Sequence, residues 1–402
     1  MKQLLLSLFY ALSLGSHVVA QDLTALARVD VAQSGIEDGW FGQTDLTLQL
    51  SQGVPFRVFT LDNPPRLVVD FREVDFSGVS AGDLLAEAGR IEAVRFGAFQ
   101  PGWSRLVADL SEPMLPREIG MPVDPDTGRA TLEIRLVSAE AEVFANNSGV
   151  PPDPSWAPAF LKPQAVEDDG VFTVVLDPGH GGIDPGAERG GLNEKELMLS
   201  FALTLGEALR REGVEVVFTR DADVFVSLEG RVAIAQRVNA DLFISLHADS
   251  LSGGGARGAS VYTLSDDAGD TASAQLVARH DRSDIIAGVD LTGADDQVAQ
   301  ILLEYARRET GPRSSALAAT LKEYMAQAGG PMNRRPLRQA GFSVLKSADI
   351  PSVLIEIGFL TSDRDLANLG DPIWRSVMAE AMADAVLSWR DADETRSGLV
   401  RQ

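Results

Sequence analysis

His180 stands between glycines in "LDPGHGG", and His247 closes the run "DLFISLH". Each follows a short apolar run that reads as a strand. Both therefore arrive at strand carboxyl ends, where open α/β sheets gather their sites. Glu194 opens a helix behind Asn193, whose side chain fits the N-cap, with Glu196 at the third helical position to complete the cap. That leaves Glu194 free to face the His180 loop. Glu356 ends the apolar run "PSVLIE". A buried carboxylate there needs a metal, a partner such as Arg231, or a raised pKa. Two histidines, a glutamate and an open position make a catalytic zinc shell. A second glutamate outside it can take a proton from water and pass it to a leaving amine. This is the chemistry of amide hydrolysis. The glycines around His180 also suit a phosphate cradle, but the loop carries acids and lacks a Lys-Ser/Thr pair.

The elements that position these residues alternate in type. Strands are expected at Val171–Leu176, Val214–Thr219, Leu242–Leu246, Ala259–Leu264, Ser343–Leu345 and Ser352–Ile355. Helices are expected from Glu194 to about Glu212, from Leu228 to Ala240, and over Ile373–Trp389, with a frayed tail after Arg390. Continuously apolar strands imply helices on both faces, so residues 170–391 read as an α/β domain with a largely parallel sheet. Residues 21–138 read as an all-β sandwich. Its short strands are Leu46–Leu50, Arg66–Phe71, Ile91–Gly97, Arg105–Leu110 and Ala130–Leu136, with one helical stretch at Ala81–Ala88. Residues 139–169, rich in Pro, Asn and acid, read as an extended linker, and 392–402 as a polar tail.

The chain has 402 residues, enough for two or three domains, and 45% hydrophobic residues for their cores. Its formal charge of -23 repels nucleic acid and anionic lipid, so neither is an expected partner. Cysteine is absent, which excludes disulfides, thiol nucleophiles and cysteine-bound zinc. Residues 1–20 carry Lys2, an apolar run and "VVA", a cleavable export signal too short to span a bilayer. The mature chain is expected to be exported with no membrane span.

Residues 171–391 resemble the zinc-dependent N-acetylmuramoyl-L-alanine amidases of bacterial cell division. The carriers are "LDPGHGGIDPGA", "NEKE", "TRDADVFVSLEGRVAIAQRVNADLFISLHAD", "AGFSVLK" and "PSVLIEIGFLTS". The resemblance implies that His180, Glu194 and His247 bind Zn2+ and that Glu356 is catalytic, the same four reached from residue types. It implies peptidoglycan as substrate, cut between N-acetylmuramic acid and L-alanine, in the periplasm. Another zinc peptidoglycan hydrolase, a carboxypeptidase or deacetylase, stays open, as does a wall-binding protein without turnover. "PPRLVVDF" and "SRLVADL" are similar to the AMIN domain, which implies wall binding and septal placement. The resemblance further implies that residues 266–316 form a helical insertion covering the zinc until a LytM-type activator moves it. Within "RHDRSD", His280 or Asp281 is expected to reach the metal.

Overall fold

The structure is a computed structural model. It describes residues 26–72, 74–85, 89–100, 102–151, 170–250, 256–265, 270–288, 297–347 and 349–400. The expected export signal lies outside the described residues, as do residues 152–169 of the expected linker. Among the described residues, no helix is long and apolar enough to cross a membrane.

The N-terminal unit is two four-stranded antiparallel sheets packed face to face. One sheet runs Gly35–Asp38, Gln43–Leu50, Ala130–Ser138, Met114–Gly120. The other runs Phe56–Leu61, Arg66–Arg72, Trp103–Leu110, Ile91–Gln100. Strict alternation sends Thr44, Leu46, Leu48 and Leu50 inward while the residues between them stay half-exposed. Opposite them, Leu67, Val69, Phe71, Leu106 and Ala108 complete the sandwich core. Arg66–Arg72 and Trp103–Leu110 differ, because both of their faces are buried. Their second face lies against the C-terminal unit, where Val68 and Val107 pack with Ile183, Phe225 and Ala287.

The expected linker begins with a helix. Ala141–Asn147 folds back on the sandwich and places Phe144, fully buried, in its core. One aromatic side chain among polar residues gave no periodic signal, yet a fully buried ring removes enough apolar surface to fix a short helix.

The C-terminal sheet has six strands in the order Glu215–Phe218, Thr173–Pro178, Leu242–His247, Ser352–Glu356, Ala259–Leu264, Met332–Ala340. The first four are mutually parallel, and Ala259–Leu264 runs antiparallel to Ser352–Glu356. Val174, Leu176, Ile244 and Ile355 face a layer built from the helices Glu194–Arg211, Gln297–Gln327 and Pro372–Val400. Val175, Phe243 and Leu354 face the other way, toward Leu228–Arg237 and Thr271–His280. The fold is therefore α/β, with a largely parallel sheet flanked by helices and an all-β sandwich before it. Two details differ from expectation. Ser343–Leu345 is a 3-10 turn, not a strand. The last helix runs through the expected tail to Val400.

Two unanticipated strands, Met114–Gly120 and Met332–Ala340, each contain a proline and lie at a sheet edge, where a missing N–H costs no ladder bond.

Candidate metal centre and its cover

The parallel register brings His247 and Glu356 side by side, as Cα partners at the ends of adjacent strands. His180 comes from the next strand over, just beyond Pro178, with a left-handed backbone at φ 59°. That conformation is unusual for a residue with a Cβ. Arginines hold the strained loop by its carbonyls. Arg231 donates to Pro178 O (2.9 Å) and His180 O (2.8 Å), and Arg220 donates to Pro178 O (2.9 Å) and Gly179 O (2.8 Å). Gly179 is required by close approach, since a Cβ there would meet the His247 ring at 2.1 Å.

Arg231 was the expected partner for Glu356 if that carboxylate were merely structural. It pairs instead with Asp177 at 2.6 Å, beneath the loop. Burial alone would raise the Asp177 carboxyl, but Arg231, Thr219 and Ser245 together hold it below the usual range.

Glu194 opens its helix as expected, with the Asn193 side chain accepting from Glu196 N at 2.9 Å. Its own carboxylate is fully buried and accepts from Ala187 N and Ala248 N, each at 2.9 Å. Glu194 Oε2 lies 3.3 Å from His180 Nε2, and Oε1 lies 3.1 Å from His247 Nδ1. The ligand atoms of His180, Glu194 and His247 all fall within 4.8 Å of one another. His180 Nδ1 donates to Asp184 Oδ2 at 2.7 Å, which leaves Nε2 as the lone-pair nitrogen. That Nε2 is buried and has no hydrogen-bond partner among the described residues. An orphaned imidazole nitrogen beside a carboxylate and a second histidine fits a divalent cation.

Electrostatics without an ion express the same arrangement. Burial would lower His180, yet Asp184 and Glu194 hold it well above the ordinary histidine value. Burial would raise Glu194, yet His180 and His247 pull it well below the carboxylate range. Burial and the neighbouring His280 press His247 down to about 3. Glu356, fully buried, is raised to about 7 by desolvation against the lowering influence of His280. A carboxyl near neutrality can both take and give a proton at working pH. Its Oε2 accepts from Asp249 N at 2.9 Å, which fixes its orientation.

The fourth side of the site is closed by His280. Asp270 caps the Thr271–His280 helix by accepting from Ser273 N at 2.8 Å. Ser273, Leu276 and His280 form its buried stripe. The helical period that buries Leu276 in the core thus carries His280 into the site. His280 Nε2 lies 3.4 Å from Glu356 Oε1 and 3.8 Å from Asp249 Oδ2. Its ring centroid is 4.0 Å from that of His247 and 6.0 Å from that of His180. Arg279 is fastened to Asp249 and to Ser250 O. The cavity left among His180, His247, His280 and Phe342 is about 10 Å³. That is about the space of a single water.

Asp281, the other residue expected to reach the metal, lines the edge of this cavity. Its carboxylate accepts from Ser343 N at 3.2 Å and so anchors the end of the helix. The helical periodicity of Val298, Ile301, Leu302 and Tyr305 falls within Gln297–Gln327, but those side chains lie outside the described residues.

Sequence reasoning missed Asp184 and Asp249. Asp184 carried a signal, four residues after His180 in a glycine-rich loop. Asp249 carried one too, two residues after His247.

The family described as N-acetylmuramoyl-L-alanine amidase (Amidase_3) matches residues 174–388, and the AMIN domain matches residues 37–125. The chain is 37% identical over 241 residues to N-acetylmuramoyl-L-alanine amidase AmiA of Escherichia coli K12, covering 59% of this chain and 83% of that one. It is 30% identical over 371 residues to AmiC of Neisseria meningitidis serogroup B, covering 88% of this chain and 89% of that one. AmiC of Escherichia coli O6:H1 is 30% identical over 365 residues, 86% of each chain.

Proposed function

The chain belongs to the N-acetylmuramoyl-L-alanine amidase family, and from that premise we propose that its reaction runs on a zinc ion held by His180, Glu194 and His247, with Glu356 handling the protons. The enzyme is a peptidoglycan hydrolase of septal cell-wall splitting. It cuts the amide between N-acetylmuramic acid and the L-alanine of the stem peptide. The observation that carries the metal assignment is the orphaned Nε2 of His180 facing two further ligands within 4.8 Å.

Zinc at this position supplies a Lewis acid for the scissile carbonyl and makes water a competent nucleophile at neutral pH. The chain's own residues do the rest. Asp184 fixes the ring of His180, and Asp249 N–H fixes the carboxylate of Glu356. Glu356, raised to about 7, accepts a proton from the attacking water and returns it to the leaving alanine nitrogen. Low-dielectric surroundings keep that proton from bulk solvent during transfer.

The resting enzyme is held off by the segment that carries His280. Two observations support this: His280 contacts Glu356, and the remaining space holds only one water. An activator protein, of LytM type in the family resemblance, would withdraw the segment. The export signal and AMIN unit support a periplasmic location, with the sandwich contributing wall binding.

Muropeptide digestion tests the reading together with zinc content. Wild-type enzyme freed from its cover releases stem peptides with a free N-terminal alanine and holds one zinc per chain. His180→Ala and His247→Ala lose zinc, while Glu356→Gln keeps zinc and loses turnover. Full zinc in both histidine variants would sink the assignment.

A further inference from the structure

The outer face of the sandwich's second sheet is unusual for an antiparallel sheet, whose far side normally faces water. Here it carries Arg66, Val68 and Asp70 on one strand, paired with Asp109, Val107 and Arg105 on the next. Three arginines from this face reach the residues just beyond His280. Arg66 Nη1 donates to Ile285 O at 2.9 Å, and Arg95 Nε to Ile286 O at 3.1 Å. Arg105 Nη1 donates to Ala287 O at 3.0 Å and Gly288 O at 2.7 Å. These carbonyls belong to the last turn of the short helix Ser283–Ile286 and the two residues that follow it. Each arginine is itself braced: Arg105 by both oxygens of Asp70 and by the Phe99 ring 3.5 Å away, Arg95 by both oxygens of Asp109, and Arg66 by the carbonyls of Pro64 and Asp62. Gly288 sits directly on the sheet with φ 65°. A Cβ there would meet Val107 at 3.0 Å and Val68 at 3.1 Å.

The same face also grips the fixed side of the site. Ile183, three residues after His180, donates its N–H to Ala98 O at 3.2 Å. Ile183 and Ala287 share one apolar cluster with Phe59, Val68 and Val107.

We propose that the N-terminal sandwich is the lock on the active site: its outer sheet face binds the His180 loop and the covering segment together, so the intact cover leaves the site only when that face releases residues 285–288. The proposal rests on the covering-segment reading and deepens it by naming what keeps the cover shut. Any activator that withdraws the segment must then also break the sandwich contact, since it must favour the undocked state by differential binding.

The test uses the full chain on dye-labelled peptidoglycan sacculi with no other protein added, alongside backbone hydrogen exchange. Arg66→Ala with Arg95→Ala should speed exchange across 271–287 at least about tenfold, because hydrogen bonds from charged donors are each worth that much or more. Strands Arg66–Arg72 and Trp103–Leu110 should keep their protection, and dye release should rise. His280→Ala should raise dye release without changing exchange at 285–288. Should the arginine variant perturb the sandwich, Gly288→Val drives the same release from the segment's side. An active His280→Ala beside arginine and Gly288 variants with unchanged exchange and dye release overturns the lock and leaves the cover standing. Faster exchange with no dye release from any variant keeps the grip but overturns the cover reading.

Discussion

His280 Nε2 stands 3.4 Å from Glu356 Oε1, so the carboxylate proposed to handle the protons is engaged by a side chain from the Thr271–His280 helix. Burial would lower the His280 pKa, but Glu356 and Asp249 hold it above the ordinary value, which favours an ionic contact between the two. Removing the imidazole frees Glu356 and enlarges a space of about 10 Å³. His280→Ala is expected to hydrolyse labelled sacculi at least about tenfold faster than wild type without an activator, as loss of one buried charged contact implies. Asp281→Ala, which removes only the acceptor for Ser343 N, should change this little. Equal, wild-type rates in both variants would remove His280 from the resting state.

In the proposed metal site, Asp184 would act through His180, whose Nδ1 it holds at 2.7 Å. Burial would raise its carboxyl, but His180 and Ser283 hold it down at about 2. It is therefore an anion at any working pH and keeps the His180 Nδ1–H in place. Asp184→Ala should weaken zinc affinity by about 10–100-fold, the usual cost of losing such a partner. Competition with a colorimetric chelator measures this without reference to turnover. Unchanged affinity would assign Asp184 a purely structural role.

Docking of the cover should depend on pH through Asp284. Desolvation raises this carboxyl to about 6, with Glu229 and Asp184 adding to it and Leu228 N–H and Arg231 opposing. The docked state thus holds the proton more tightly than the released state, whose carboxyl lies near 3.8. Docking is strongest below that value and weakens as pH rises through about 6, by up to about 3 kcal/mol. Hydrogen exchange of residues 271–287, corrected for intrinsic rates, should accelerate across this window. Asp284→Asn should flatten the part of the slope owed to this group while still accepting from Leu228 N. An unaltered slope in that variant would exclude Asp284 as its source.

Phe144 should matter to the sandwich although it lies where a linker was expected. Phe144→Ala empties a fully buried position and should cost about 3–5 kcal/mol in denaturant unfolding of the sandwich. A change under about 0.5 kcal/mol, the usual effect of a surface substitution, would mean the helix is not part of that core.

Legibility from sequence tracked how local each signal was. His180, His247, Glu194 and Glu356 were readable because strand ends and a capping residue announce themselves within a few positions. His280 was readable only as a candidate beside Asp281, because helical phase had to be resolved by one residue. The structure resolves it through Leu276, four positions earlier on the same stripe. Arg231 was named only as the alternative partner of Glu356, and its pairing with Asp177 depends on how the helix Leu228–Arg237 packs beneath a distant strand end, which no short window encodes. The interdomain face was not legible. The outward positions of "RLVVDF" and "SRLVADL" read Arg-Val-Asp on each strand, as on a face turned to water, and only the fold shows them buried.

Leu242–His247 and Ser352–Glu356 are hydrogen-bonded neighbours, with His247 opposite Glu356, although residues 248–355 lie between them in the chain. Between them the chain adds two more strands to the same sheet, Ala259–Leu264 beside Ser352–Glu356 and Met332–Ala340 at the edge. The spacing of the two side chains is fixed by their strand ladder, while the helix Thr271–His280 that covers them lies in the connection between those added strands. That connection works as a socket: a different controlling module could be seated there without re-tooling the chemistry beneath it.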